Sequence, residues 1–176
     1  NRGLSYTRNR GILASNGDFI ALLDSDDIWM PEKLELQIQV MLSFPDVGLV
    51  SCDRILIDRE GNVITLRGLR IADNKIKEAL KIRNIICPSS VLIRRECFEK
   101  VGLFDESLKS AEDWDMWLRI SKFFKIKFIR KPLVKIRIHG RGMHKNIERM
   151  KEAQLKVIRK NITRAKDKAK SFSYVY

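Results

Sequence analysis

The hydrophobic pattern of the chain alternates between short apolar runs and segments with helical spacing. The run DFIALLD, residues 18–24, is continuous and ends in a carboxylate, which is typical of a strand buried on both faces. In the following segment, residues 30–44, Leu34, Ile38 and Met41 recur at helical spacing after a proline suited to a first helical turn. Strands and helices that alternate in this way predict an α/β domain.

The middle of the chain continues the alternation. The pattern predicts a hairpin, then a helix, then a strand that runs into a short helix, over residues 46–68, 76–86 and 89–102. The hairpin turn is expected at Glu60-Gly61-Asn62, and Gly102 is expected to end the short helix.

Two amphipathic helices are predicted in the last third of the chain. In residues 111–124, Trp114 and Trp117 share an apolar face, while acidic residues occupy the first turn, where the helix dipole favours negative charge. The segment that follows is expected to form two extended pieces around Pro132. Residues 143–170 then alternate charged and apolar positions, which predicts a basic amphipathic helix.

Composition and charge divide the chain at about residue 140. A hydrophobic content of 44% with 32% charged residues is ordinary for a globular protein, but the net charge is +13. Residues 141–170 hold eleven Lys and Arg against three acidic residues, so most of the excess lies there. Such a helix could lie on an anionic membrane surface, or could pack one apolar stripe on the domain. No nucleic-acid-binding motif accompanies the charge, so nucleic acid is not expected as a partner.

The three cysteines and the chain start add two expectations. Cys52, Cys87 and Cys97 have no C-x-x-C spacing, which argues against zinc and disulfides and favours reduced thiols in the cytoplasm. No apolar run is long enough for a membrane span, and no signal peptide is visible. The chain begins with Asn and with a sequence that reads like the middle of a domain, so we expect an N-terminal segment to be missing.

The loop after the first predicted strand carries the candidate chemistry. Asp24, Asp26 and Asp27 fall within four positions, beyond the end of a strand where α/β sheets bind ligands. Their mutual repulsion is accounted for if a divalent cation such as Mg²⁺ or Mn²⁺ binds between them and a substrate phosphate. The alternative is an Asp-rich turn in which Asp27 caps the next helix.

Four segments in a fixed order resemble the family-two inverting glycosyltransferases of the GT-A fold. These are NRGLSYTRNRGILASNGDFIALLDSDDIWMPEKLELQ, VGLFDESL, AEDWDMWLRI and IRIHG. The resemblance implies a Rossmann-like mixed sheet flanked by helices, with residues 1–140 a partial GT-A domain and residues 141–176 a basic helical tail. It also implies a nucleotide-sugar donor (UDP-, GDP- or dTDP-linked) and a glycan or lipid-linked acceptor.

The resemblance assigns the metal site. Asp24-Ser25-Asp26 matches the D-x-D motif of the family, in which Asp26 is expected to bind Mg²⁺ or Mn²⁺ directly. Asp24 is expected to contact both the metal and the ribose or sugar of the donor, with Asp27 as a supporting partner. His139, in IRIHG, matches the C-terminal His that can join the metal.

The resemblance also assigns a general base. Glu112-Asp113 matches the E-D motif, in which Asp113 removes the proton from the acceptor hydroxyl; a carboxylate is one of the few groups suited to this task. From the residues alone, both could instead serve only to complement the helix N-terminus. Asp115 is the alternative base if the helix is rotated.

The N-terminal stretch is expected to lie beside the donor. Asn1, Gly3 and Arg8 match the N-x-G and R-N elements of the family, and Arg8 is expected to face the donor phosphates. Family members carry further strands and a nucleobase-binding loop upstream of this point, and the chain shows neither. Two other functions therefore stay open, an inactive fragment that serves as a binding module and a nucleotidyltransferase with a similar sheet.

Overall fold

The computed structural model describes residues 2–138 and 147–162, so Asn1 and His139 lie outside the described residues. The strands are β1 Phe19–Ala21, β2 Ile28–Trp29, β3 Val47–Ile57, β4 Val63–Arg67, β5 Leu92–Arg94 and β6 Lys125–Arg137. The helices are α1 Leu4–Ala14, α2 Lys33–Ser43, α3 Ile76–Leu80, α4 Arg95–Val101, α5 Glu112–Ile120 and α6 Ile147–Asn161. Short 3₁₀ turns cover Asp73–Lys75 and Pro88–Ser90.

The strands form one mixed sheet in the order β1-β5-β3-β6-β2, with β4 paired to β3. β3 and β6 run parallel over most of their length, with Leu49 opposite Ile126 and Cys52 opposite Ile129, and the other pairs are antiparallel. The predicted α/β class with a mixed sheet is therefore confirmed. The carboxyl ends of β3 and β6 lie at the same edge, and the antiparallel β2 begins beside the end of β6.

β3 forms the centre of the sheet because its first half is apolar at almost every position. Val47, Leu49 and Val50 are fully buried. The main core lies between the sheet and α5, whose Trp114 and Trp117 are almost completely buried, as predicted for the apolar face of this helix. Packing of two large aromatic side chains fixes the position of α5 against the sheet.

The first helix was not predicted, because the face that it buries is mainly polar. Ser5, Arg8, Asn9 and Ile12 are its buried residues, and only the last is hydrophobic. Their spacing is helical, but a search for apolar periodicity does not detect it. Asn9 shows what replaces apolar packing, since its side-chain amide donates to the Phe104 carbonyl at 2.9 Å and accepts from the Phe104 N–H at 2.8 Å.

Two predicted elements differ from the structure. β1 covers three residues and is only partly buried, not a strand buried along its whole length. The helix predicted over residues 76–86 ends at Leu80, so the prediction is wrong for residues 81–86. Asn84 in that segment accepts a hydrogen bond from the Ile86 N–H, a local interaction that competes with helix formation.

The hairpin and the interrupted strand are confirmed. β3 and β4 are joined by a turn in which the Asp58 carboxylate accepts from the Asn62 N–H at 2.8 Å, and Gly61 has a φ of 96° that favours glycine. β6 passes through Pro132 with register shifts on either side, as expected for two extended pieces.

α6 lies within the predicted basic helix and packs against α5. Its apolar stripe, which includes Val157 and Ile158, is buried in the main core. An interfacial helix needs a free apolar face, so only the polar face of α6 remains available to an anionic surface. In the described part of the chain, no helix is both long and apolar enough to span a bilayer.

Asp115 anchors α6 to α5. Its side chain is fully buried and accepts hydrogen bonds from Arg119 Nε at 2.8 Å and Asn161 Nδ2 at 2.7 Å, with Lys160 Nζ 3.0 Å away. A carboxylate buried with these partners has a structural role, and Asp115 does not line the cleft that holds Asp113.

We expect Asp115→Ala to lower the free energy of unfolding by about 3–5 kcal/mol, because it leaves the partners of a buried carboxylate uncompensated. Urea unfolding followed by circular dichroism measures the change. Glu152→Ala, on the exposed side of α6, is the control and should alter stability by no more than about 0.5 kcal/mol. Equal stability of the two variants would contradict this role for Asp115.

Candidate active site

A cleft of about 370 Å³ opens at the edge of the sheet where β6 ends. Asp24 and Asp26, from the loop before β2, line one part of it, and Glu112 and Asp113, from the first turn of α5, line another. The structure thus brings together the two acidic segments that the sequence analysis singled out.

The three aspartates of the loop have different environments. Asp27 also lines the cleft, but its carboxylate is engaged by the protein, since it accepts from Ser89 Oγ at 2.5 Å and from the Arg137 N–H at 3.0 Å. Burial raises the pKa of Asp27; the two hydrogen bonds lower it, and the nearby charges of Asp26 and Asp24 raise it further. Asp27 therefore holds the loop in place, and its expected support of a bound metal stays a prediction.

Ser89 and Arg137 fix the backbone of this loop. The Ser89 hydroxyl accepts from the Asp24 N–H at 3.0 Å while it donates to Asp27, so one side chain holds both ends of the acidic turn. Arg137 Nε donates to the carbonyl of Asp26 at 3.2 Å. Neither residue was identified from the sequence, since Ser and Arg at these positions follow no pattern tied to the loop.

A buried polar network holds the Pro88–Ser90 turn in place. Gln37 Nε2 donates to the carbonyls of Val50 and Ser90 at 2.9 and 2.8 Å, and Lys33 Nζ donates to Gln37 Oε1 at 2.8 Å. The Lys33 ammonium also lies 4.2 Å from the centre of the Trp29 ring. Burial lowers the pKa of Lys33 to about 8. The turn that carries Ser89 is consequently held to the centre of the sheet.

Arg8 joins the two acidic segments. Its guanidinium donates from Nη2 to Asp24 Oδ1 at 2.9 Å and from Nη1 to Glu112 Oε1 at 2.7 Å. The side chains of Arg8 and Glu112 are each only 7% exposed, so this pair is shielded from water. The expected contact of Arg8 with donor phosphates stays a prediction; in the structure its partners are two carboxylates.

Asp113 lies at the start of α5 with both carboxylate oxygens engaged. Oδ1 accepts from the Trp114 N–H and Oδ2 accepts from Asn84 Nδ2, each at 2.7 Å. Burial, together with the neighbouring charge of Glu112, raises the pKa of Asp113 to about 6, although Arg8 and the two hydrogen bonds oppose the rise. Such a group is deprotonated at neutral pH and is still basic enough to accept a proton.

The residue before α5 has a strained backbone. Ala111 has a φ of 58°, in the left-handed region, which costs a residue with a Cβ about 1 kcal/mol or more. Ala111 lines the cleft beside Glu112 and Asp113. The strain therefore occurs where the chain turns to present the acidic pair.

The remaining predicted residues lie outside the cleft or outside the described residues. Gly3 precedes α1 with a φ of 94°, a conformation that favours glycine, and its expected donor contact stays a prediction. The predictions for Asn1 and His139 fall on residues outside the described ones.

Two parts of the cleft were missed by the sequence analysis. Asn84, which binds Asp113, comes from the segment predicted as helix. Met150 and Gln154 of α6 also line the cleft, so the basic helix forms part of its wall. The sequence offers no local signal for either, because both depend on how distant elements pack.

The carboxylates of the loop suit a divalent metal in chemistry but do not form a closed cage. Within residues 2–138 and 147–162, no group of three or more His, Cys, Asp or Glu side chains is arranged to hold a metal ion. Asp24 and Asp26 supply oxygen ligands, and Mg²⁺ commonly binds one or two carboxylates together with substrate phosphates. The residues present fit that open type of site.

Comparison with known proteins identifies the relatives of the chain. Residues 2–165 match the family described as glycosyltransferase like family 2. An uncharacterized glycosyltransferase of Rickettsia prowazekii is 34% identical over 148 residues, covering 80% of this chain and 46% of the relative. The amylovoran biosynthesis glycosyltransferase AmsE of Erwinia amylovora is 32% identical over 120 residues, covering 68% of this chain and 44% of the relative. The chain thus spans about half the length of the curated relatives it matches.

A solved structure shares the fold. The mannosyltransferase PcManGT from Pyrobaculum calidifontis, in complex with GDP-Man and Mn²⁺, matches with a TM-score of 0.66 at 17% identity. The match covers 99% of this chain and 48% of that one. This likeness confirms the GT-A fold predicted from the sequence.

We expect Ser89→Ala to raise the pKa of Asp27 further, because it removes a hydrogen bond that lowers this pKa. The variant should also lose about 1–3 kcal/mol of stability, since Asp27 and the Asp24 N–H both lose a partner. Carboxyl ¹³C NMR titration and urea unfolding measure the two effects. Ser25→Ala, an exposed change in the same loop, is the control. An unchanged Asp27 titration in Ser89→Ala would show that the hydroxyl does not hold the loop.

Proposed function

The chain belongs to glycosyltransferase like family 2, and on that premise we propose that it transfers a sugar, with inversion, from a nucleoside-diphosphate donor to an acceptor hydroxyl. One observation carries the proposal. Asp26 and Asp113, from segments far apart in the sequence, line the same cleft. Inverting transfer needs a donor-binding group and a base on opposite sides of the reacting carbon, and the cleft offers a candidate for each.

Asp113 is the proposed general base. Its carboxylate takes the proton of the acceptor hydroxyl as that oxygen attacks the anomeric carbon, and the bond between this carbon and the diphosphate oxygen breaks. The hydrogen bonds from Asn84 and the Trp114 N–H hold the carboxylate in one orientation. A fixed base lowers the barrier because its orientation need not be found during the reaction.

Asp24 and Asp26 are the proposed donor-side residues. When bound there, Mg²⁺ or Mn²⁺ would supply positive charge to the departing diphosphate. Arg8 forms an ion pair with Asp24, and Ser89 and Arg137 hold the loop backbone. The structural relative in complex with GDP-Man and Mn²⁺ supports a nucleotide-sugar donor and a divalent metal. UDP-, GDP- and dTDP-sugars are all compatible with these residues.

The acceptor and the location are also proposals. A glycan or lipid-linked hydroxyl is the proposed acceptor, which agrees with a relative named for amylovoran biosynthesis. The cytoplasmic location expected from the sequence stays a prediction, as does contact of the basic segment with a membrane face.

We expect Asp113→Asn to reduce kcat by about 10²–10⁴-fold while donor binding is kept, since an amide cannot accept the proton. In the unmodified protein the rate should rise with pH and level off above about 6, because the raised pKa keeps Asp113 protonated below that value. Initial rates across pH and isothermal titration with nucleotide measure these effects. Asp18→Asn, an exposed carboxylate, is the control. Equal losses of rate and of donor affinity would assign Asp113 a structural role instead.

We expect Asp26→Ala to weaken Mn²⁺-dependent binding of UDP or GDP by at least about tenfold, because a direct ligand should matter no less than the outer residues that support one. Calorimetric titrations with Mn²⁺ and with EDTA separate the metal-dependent part of the affinity. Asp18→Ala should bind as the unmodified protein does. If Asp26→Ala keeps full metal-dependent affinity, Asp26 is not a ligand.

A further inference from the structure

A second cavity, of about 210 Å³, adjoins the cleft and is lined by three arginines. Arg54 comes from β3, Arg67 from β4 and Arg83 from the segment after α3. The proposed transfer reaction gives none of them a role. Guanidinium groups match the oxygens of phosphate in geometry and charge, so their convergence points to an anionic ligand.

The fold places two of these arginines directly opposite each other. Arg54 and Arg67 are register partners in the antiparallel β3–β4 pair. Like charges at such positions destabilise a sheet. Within the described residues, neither guanidinium has a carboxylate at ion-pair distance. A bound anion would offset the repulsion that the fold leaves in place.

Asp53 does not neutralise the cluster. Among the described residues, Asp53 is the one carboxylate that lines the cavity. Its Oδ1 accepts from the Leu69 N–H at 2.8 Å. Its other oxygen lies close to Gly68, 3.0 Å from where a Cβ would stand. Asp53 therefore holds the chain after β4, and within the described residues it leaves the charges of Arg54 and Arg67 uncompensated.

Asn84 connects the cavity with the proposed base. It lines both the cavity and the cleft, and its amide donates to Asp113 at 2.7 Å. The donor-side carboxylates Asp24 and Asp26 line the cleft but not the cavity. The arginines thus lie on the side of the base, where the acceptor must approach.

We propose that Arg54, Arg67 and Arg83 bind a phosphate group carried by the acceptor, which defines the acceptor class as phosphorylated. The assignment of the ligand as the acceptor rests on the proposed function, whereas the phosphate site rests on the cavity alone. The phosphate would hold the acceptor while its hydroxyl reaches Asp113.

Titration with inorganic phosphate and with glycerol 3-phosphate, followed by NMR of the arginine side chains, tests the site. We expect saturable shifts for the three arginines, and at least about tenfold weaker binding in the double variant Arg54→Gln/Arg67→Gln. The double variant Arg59→Gln/Arg70→Gln removes the same charge at exposed positions that do not line the cavity, and should bind phosphate as the unmodified protein does. No binding to the unmodified protein, or equal losses in both variants, overturns the site.

Nucleotide titration separates an acceptor phosphate from the donor phosphates. We expect Mn²⁺-dependent affinity for UDP and GDP to be unchanged in Arg54→Gln/Arg67→Gln. A parallel loss of nucleotide affinity would assign the cavity to the donor and overturn the acceptor role. Because phosphate titration needs no turnover, a negative result there leaves the Asp113 and Asp26 tests intact. If phosphate binds at the arginines but the Asp113→Asn variant remains fully active, the proposed base is refuted, and the acceptor assignment is refuted with it.

Discussion

The contact of the Arg8 guanidinium with Asp24 and Glu112 is the interaction on which the cleft depends. It joins a loop of the N-terminal part of the chain to the first turn of α5; the side chains of Arg8 and Glu112 are nearly buried, whereas that of Asp24 is 35% exposed. Breaking a buried ion pair leaves a charge without compensation, which is far costlier than losing a pair at the surface. The same guanidinium lowers the pKa of Asp113 against the effect of Glu112. Arg8 thus contacts the proposed donor-side residue Asp24 and also lowers the pKa of the proposed base Asp113, which burial raises.

Around this contact, further elements hold the acidic segments of the cleft. Ser89 and Arg137 fix the loop that carries Asp26, and Asn84 fixes Asp113. These partners act on groups that would otherwise repel each other and rearrange in water. Orienting charged groups before substrate arrives is how an active site avoids reorganisation during the reaction. The buried network of Lys33 and Gln37 has the same effect, because it connects the Pro88–Ser90 turn, which holds the acidic loop, to the buried strand β3.

The sequence predicted the elements that bury apolar residues and missed those that bury polar ones. The strands other than β2, together with α2, α5 and the hairpin, follow from hydrophobic spacing and turn residues, whereas α1 packs through Ser5, Arg8 and Asn9. Asp24, Asp26 and Asp113 could be selected because their motifs are local. Asn84 and Ser89 could not, since their importance arises from contacts with residues 29 and 62 positions away. Long-range hydrogen bonds leave no periodic trace in a sequence.

The helix α5 connects the cleft with the C-terminal part of the fold. Asp113 and Asp115 are two positions apart, and side chains at this spacing do not share a helix face. The first faces the cleft, while the second is buried against α6 and binds Asn161. α6 in turn places Gln154 in the wall of the cleft. The orientation of the proposed base and the shape of the cleft wall therefore depend on one interface, so α6 belongs structurally to the site despite its basic composition.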